Sequence, residues 1–187
     1  MIQPLAYVHP QAKIADNVVI EPFVTIHKDV EIGEGSWIAS NATIMPGARI
    51  GKNCRVFPGA VISAIPQDLK FEGEDSLAII GDGTTIRECV TVNRGTKALG
   101  KTEIGKNCLL MAYTHVAHDC IVGDQVILAN SVQLAGHIEI GDHAIVGGMS
   151  AVHQFVKIGM HCMISGGSLV RKDVPPFSKA AREPLSY

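Results

Sequence analysis

The sequence predicts an all-β chain wound as a parallel β-helix, with about 18 residues per coil and two loop excursions. Three observations predict it. First, stepping by six from Ile2 to Val170 samples 29 positions, and 26 of them are Ile, Leu or Val. Hydrophobic residues of every kind make up only 47% of the chain, so a repeat and not composition produces this phase. Second, the phase starting at Ala6 holds only Ala, Val, Ser, Thr, Cys or Ile as far as Val174, apart from Pro66 and Glu72. Each hexad therefore carries one large and one small inward residue. Third, Gly33, Gly51, Gly105, Gly123, Gly141 and Gly159 are separated by 18 residues or multiples of 18, so three hexads close one coil. A period of six belongs neither to an α-helix nor to simple strand alternation, and short strands joined by tight corners produce it.

Taken in order, Ile2 to Ile62 reads as unbroken wall. From Pro66 to Ser76 the inward positions turn polar, with Asp68, Lys70, Glu72, Glu74 and Asp75, so this segment loops out. Arg94 to Thr102 is a second, Gly- and Lys-containing excursion, which puts Ala98 on the large phase. The repeat then runs from Ile104 to Val170 and stops at Pro175-Pro176. The expected organisation is a β-helix domain over residues 1–174, with 175–187 the start of a C-terminal region cut short. At the corners, the repeated glycines are expected to supply positive φ. The run Ile50-Gly51-Lys52-Asn53-Cys54 recurs as Ile104-Gly105-Lys106-Asn107-Cys108, 54 residues on, which reads as three coils. Stacked coils sit ~4.8 Å apart, so residues i and i+18 become neighbours.

The hexads resemble those of hexapeptide-repeat proteins, and the resemblance implies a left-handed helix of triangular section. The net charge is -2, from 16 Lys+Arg against 18 Asp+Glu, which leaves no footprint for nucleic acid or an anionic membrane. No apolar run approaches the ~18 residues a membrane helix needs. The first basic residue is Lys13 and no apolar core follows it, so no secretory signal is expected. Of five cysteines, Cys54, Cys108, Cys120 and Cys162 fall on the small inward phase, as reduced core residues of a cytoplasmic protein would.

Six of the eight histidines lie between His115 and His161. The 18-residue coil stacks His118 under Gly136 and Gln154, Asp119 under His137 and Phe155, and Ala117 under Ala135 and His153. His143 under His161 forms a separate, solvated stack. Metal binding is disfavoured, because solenoid carbonic anhydrases place His-x4-His on one coil and this chain has His115-x2-His118. An imidazole beside a carboxylate suits general-base catalysis, and a Gly amide can approach an oxyanion, so the patch suits acyl transfer. No Ser or Cys stands in it as a covalent nucleophile, and direct attack by a substrate hydroxyl is preferred. His118 lies outside both inward phases and is expected at an exposed corner.

His115-Val116-Ala117-His118-Asp119-Cys120, Leu134-Ala135-Gly136-His137, the run from Gly147 to Phe155 and the loop Gln67-Asp68-Leu69-Lys70 resemble the UDP-N-acetylglucosamine O-acyltransferase family. So do Arg87-Glu88-Cys89-Val90-Thr91, Arg94-Gly95-Thr96 and Asp173-Val174-Pro175-Pro176. The resemblance implies His118 as general base toward the glucosamine 3-hydroxyl, assisted by Asp119, with the Gly136 amide as oxyanion donor. It implies that Gln67, Asp68, Lys70, His115, His137, His153 and Gln154 position a UDP-N-acetylglucosamine acceptor and a (R)-3-hydroxyacyl chain on acyl carrier protein, with no cofactor or metal. It further implies a homotrimer with active sites between subunits, the first step of lipid A synthesis, and a C-terminal helical region with an Arg-rich nucleotide-binding motif. If the acyl chain runs along the solenoid from His118, Met163 and Gly166 meet its distal part as a ruler, Gly166 about 13 Å further along the axis. Two other functions fit the hexads: an acyl-CoA-dependent transferase, and a non-catalytic or ice-binding solenoid, which wants a flat Thr array that these charged corners lack.

Overall fold

The computed structural model describes residues 1–181, and its regular elements are short parallel strands. Among the described residues they form three sheets of nine, eight and nine strands. Face one begins at Tyr7–Val8 and ends at Leu169–Val170; face two runs from Lys13–Ile14 to Lys157–Ile158; face three runs from Val19–Ile20 to Lys179–Ala180. The chain visits the three faces in turn, and Tyr7, Thr25, Thr43 and Val61 stack in register at intervals of 18.

In most two-residue strands the second residue is the large hexad residue and points inward. Ile20, Ile26, Ile38, Ile44, Ile62 and Ile86 have no exposure at all. A buried side chain of this size stabilises the wall by about 1.5–3 kcal/mol, and β-branched Ile and Val suit a strand's restricted χ1. The small phase falls at the bends, where the coil narrows. Its hydroxyls replace missing backbone bonds: Ser36 Oγ donates to Gly51 O (2.9 Å) and accepts Cys54 N–H (3.0 Å). Thr84 repeats this with Gly105 O (2.8 Å) and Cys108 N–H (3.0 Å). The four inward cysteines are buried and unpaired as expected, and burial pushes the Cys120 thiol up to about 12.

Four readings of the sequence are corrected here. Val61 pairs with Thr91 and Thr91 with His115, so these coils take 30 and 24 residues instead of 18. The repeat Ile50–Cys54 to Ile104–Cys108 consequently spans two coils, not three, as the adjoining register Arg55–Thr85–Leu109 shows. Both insertions are multiples of six, so the hexad phase passes through the loops unbroken although the chain leaves the wall. The second loop is also shorter than expected: Lys101–Ile104 is already a strand, with Thr102 fully buried.

Third, the repeated glycines do not supply positive φ. That role falls two residues later, to Gly35, Asn53, Gly83, Asn107, Gln125, His143 and His161. At Gly33 an added Cβ would lie 2.6 Å from Gly51 C, and at Gly81 similarly against Gly105. These positions are Gly because stacked coils approach too closely there for any side chain. Fourth, the wall continues beyond Val174: Lys179–Ala180 pairs with Met163–Ile164, and Ala180 is buried. Residues 182–187 lie outside the described residues. No helix of the described residues is long and apolar enough to cross a membrane.

Candidate active site

The corner between faces one and two, in three successive coils, collects the histidines. Strands His115–Val116, Gln133–Leu134 and Ala151–Val152 stack in register, so Ala117, His118 and Asp119 underlie Ala135, Gly136 and His137, which underlie His153, Gln154 and Phe155. Asp119, His137 and Phe155 hold φ of 58°, 61° and 69°, the left-handed turn that lets the chain bend here. His137 stacks on Phe155, with centroids 4.8 Å apart, and sits edge-on to His118 at 5.1 Å. His137 N–H donates to His118 O at 3.0 Å, which ties the two coils together at the centre of the patch.

Asp119 is the hub. His118 Nδ1 is 2.8 Å from Asp119 Oδ2. Thr96 Oγ1 donates to Oδ2 at 2.7 Å, and the amides of Thr96 and Leu99 donate to Oδ1 at 3.0 and 3.2 Å. The Asp119 N–H in turn donates to Thr102 Oγ1 at 2.9 Å. Burial pushes the carboxyl up, but the Thr96 hydroxyl, His118, the Thr96 amide and nearby His137 more than offset it, and the group is held below its ordinary value. An ionised carboxylate only accepts, so Nδ1 of His118 carries the proton and Nε2 of the neutral ring is a bare base.

His118 is not at an exposed corner as its phase suggested: it is 7% and Asp119 3% exposed. The 94–100 loop, anchored through Thr96, closes over the carboxylate. Thr96, Leu99 and Thr102 were not among the predicted site residues. Only the Arg94-Gly95-Thr96 motif hinted at them, since hydrogen bonds across coils leave no periodic trace.

Gly136 faces His118 directly: a Cβ on it would lie 2.6 Å from Cε1 and 2.7 Å from Nε2. Its amide donates no hydrogen bond within the described residues, and Pro10 and Pro46 occupy the equivalent corner position in lower coils, where no donor is needed. His115 pairs through Nδ1 with Thr91 Oγ1 at 2.7 Å. Burial, then neighbouring His118, pushes its imidazole below the ordinary value. His153 and Gln154 are exposed and border a trough of about 360 Å³ on face one, lined by Ala135, Ala151, Leu169 and Val170.

Other predicted residues are placed elsewhere. Gln67, Asp68 and Lys70 lie in the loop between Val61–Ala64 and Leu77–Ile80, on the same corner two coils below His118. Asp68 Oδ1 accepts the Lys70 amide at 2.9 Å, and among the described residues no hydrogen bond joins this loop to the histidines. Met163 stands on face three and Gly166 at the corner between faces three and one, so neither lies directly above His118. Gly166 does not have positive φ; Gly167 does. His143 and His161 stack at 4.5 Å and the stack continues to Phe177. The donor atoms of His118, Asp119 and His137 converge within 4.8 Å, a cluster that could hold a metal ion and that the single-coil spacing did not reveal. The carboxylate oxygens are already taken by Thr96, Leu99 and His118, which suits proton transfer better than ligation.

Coiled hexads of this kind, with a histidine–carboxylate pair at one corner, define a hexapeptide-repeat transferase with the left-handed parallel β-helix fold. The family described as "GMPPB C-terminal domain" matches residues 2–100, and "Bacterial transferase hexapeptide (six repeats)" matches residues 101–136. The acyl-[acyl-carrier-protein]–UDP-N-acetylglucosamine O-acyltransferase of Campylobacter concisus is 46% identical over 96% of the chain and 69% of its own length. The UDP-N-acetylglucosamine acyltransferase structure from Bacteroides fragilis is 53% identical, with a TM-score of 0.99 over 100% of this chain and 73% of that one. The Acinetobacter baumannii structure is 45% identical, with a TM-score of 0.97 over 98% and 72%. The chain belongs to the acyl-[acyl-carrier-protein]–UDP-N-acetylglucosamine O-acyltransferase family, and is an acyltransferase.

Proposed function

We propose that the protein transfers a (R)-3-hydroxyacyl chain from acyl carrier protein to the 3-hydroxyl of UDP-N-acetylglucosamine, the first step of lipid A synthesis. The carrying observation is the His118 Nδ1–Asp119 contact of 2.8 Å beneath Gly136. His118 Nε2 takes the proton of the sugar hydroxyl as its oxygen attacks the thioester carbonyl. The Gly136 N–H, with no acceptor among the described residues, stabilises the oxyanion that forms, and the imidazolium, paired with Asp119, then protonates the departing thiolate. His115, His137, His153 and Gln154 surround this point and position the two substrates. The face-one trough, lined by Ala135, Ala151 and Leu169, offers the acyl chain a wall beside His153 and Gln154, and Gly166 with Met163 is the ruler for its distal part. Gln67, Asp68 and Lys70 serve the site of a neighbouring subunit in a homotrimer. This accounts for their distance from the histidines of their own chain. The cytoplasm is the proposed location.

His118→Ala in the full chain is the test. A folded variant is expected to lose ~10²–10⁴ in rate. Near-normal kcat would refute the base assignment. Mass spectrometry of the product from UDP-N-acetylglucosamine with hydroxyacyl carrier protein or acyl-CoA identifies the donor.

A further inference from the structure

The 94–100 loop ends one coil below the histidines, yet three of its donors converge on the Asp119 carboxylate: the Thr96 hydroxyl, the Thr96 amide and the Leu99 amide. Such an arrangement is more than a loop needs for anchorage. The two Thr96 bonds grip opposite oxygens of the carboxylate, which fixes its plane as well as its position. Asp119 is also held at positive φ, and its own N–H is tied to Thr102 Oγ1. The carboxylate therefore cannot follow a displaced His118 ring, and the ring must align to it. Thr96 itself is 6% exposed.

We infer that Thr96 is a positioning residue for the acid–base step: its hydroxyl and amide clamp Asp119 so that His118 keeps its proton on Nδ1 and presents a bare Nε2. The inference rests on the reading of His118 as the base. The charged and titratable groups around the clamp are His118, His137 at 3.8 Å from Oδ2, Cys120 next in sequence, and His115 beside His118. Beside these groups, Thr96 and the Leu99 amide bind the carboxylate without taking or giving a proton. Removing the hydroxyl donor leaves more negative charge on Oδ2 facing the His118 ring. That charge favours the protonated ring, so the ring becomes bare only at higher pH.

The test is Thr96→Val, close to isosteric, with Thr96→Ser as the conservative variant, both in the full chain. For Thr96→Val, kcat is expected to fall at least ~10-fold with KM nearly unchanged, and the acid limb of kcat/KM to move to higher pH. Thr96→Ser should restore both. A merely structural role would lower the melting temperature without moving the pH profile, and that outcome, or unchanged kinetics in Thr96→Val, overturns the inference. If Thr96→Val does not fold, the ring-nitrogen NMR of His118 in the unaltered protein decides: Nδ1–H is expected, and Nε2–H overturns the clamp. Loss of activity in His118→Ala with a normal Thr96→Val discards the clamp alone, whereas an active His118→Ala discards the base assignment beneath it.

Discussion

Gly136 and His118 are packed so closely that a single methyl group on Gly136 would lie 2.6–2.7 Å from Cε1 and Nε2 of the ring. The close approach to the ring therefore requires glycine at position 136, and among the described residues its amide donates to no acceptor. Gly136→Ala should push the ring off the Asp119 carboxylate while the coil, whose backbone here is not left-handed, stays intact. The expected result is a loss of ~10² or more in kcat, the scale of losing oriented catalysis, with a small change in melting temperature. Steady-state kinetics beside thermal melting checks it, and an active Gly136→Ala would remove the basis for the ring–glycine relationship.

His115 is held below its ordinary value of 6.5 by burial and by His118. The unfolded chain then takes up a proton near that pH and the folded one does not, so folding is favoured above 6.5 and loses stability as pH falls below it. Asp119, held below its ordinary 3.8, contributes stability above that pH and loses it as pH falls further, so the two losses begin at different pH. His115→Gln should flatten the loss of melting temperature that begins just below pH 6.5. Parallel curves for the two proteins would exclude this origin.

Close approach and backbone conformation are separable by substitution. Gly33→Ala meets Gly51 backbone, which cannot give way, and is expected to cost about 1–3 kcal/mol or more. Gly73→Ala, at φ 91° but with open space around it in the exposed loop, meets only conformational strain, about 1–2 kcal/mol. Urea unfolding of both variants checks this: the larger loss is expected for Gly33→Ala, and similar losses would be the outcome if the repeated glycines served φ.

At Gly166 the backbone does not require glycine, and an added Cβ would meet Gly148 O at 3.0 Å, a tight but adjustable contact. Gly166→Met should therefore remain folded and shift kcat/KM toward shorter acyl donors. An unchanged ratio of long to short donors in the folded variant would remove Gly166 from the acyl path.

The sequence by itself determined the coil, the inward phases and the vertical stacking of His118, Gly136 and Gln154, because each rests on a period that local sterics impose on every hexad. Ile26 and Ile86 could be placed in the core by counting alone. Counting failed where the chain left the wall. Insertions of twelve and six residues preserve the phase, so only the strand register reveals that Ile50 and Ile104 are two coils apart. Tertiary structure also decided that Gly33 and Gly81 answer to the coil above them rather than to their own φ. It decided that Thr96, from a loop that breaks the repeat, closes on Asp119 and buries His118. The physical reason is common to both: hydrogen bonds and close approaches between coils depend on the distance between backbones, and a sequence period records only which residues point inward.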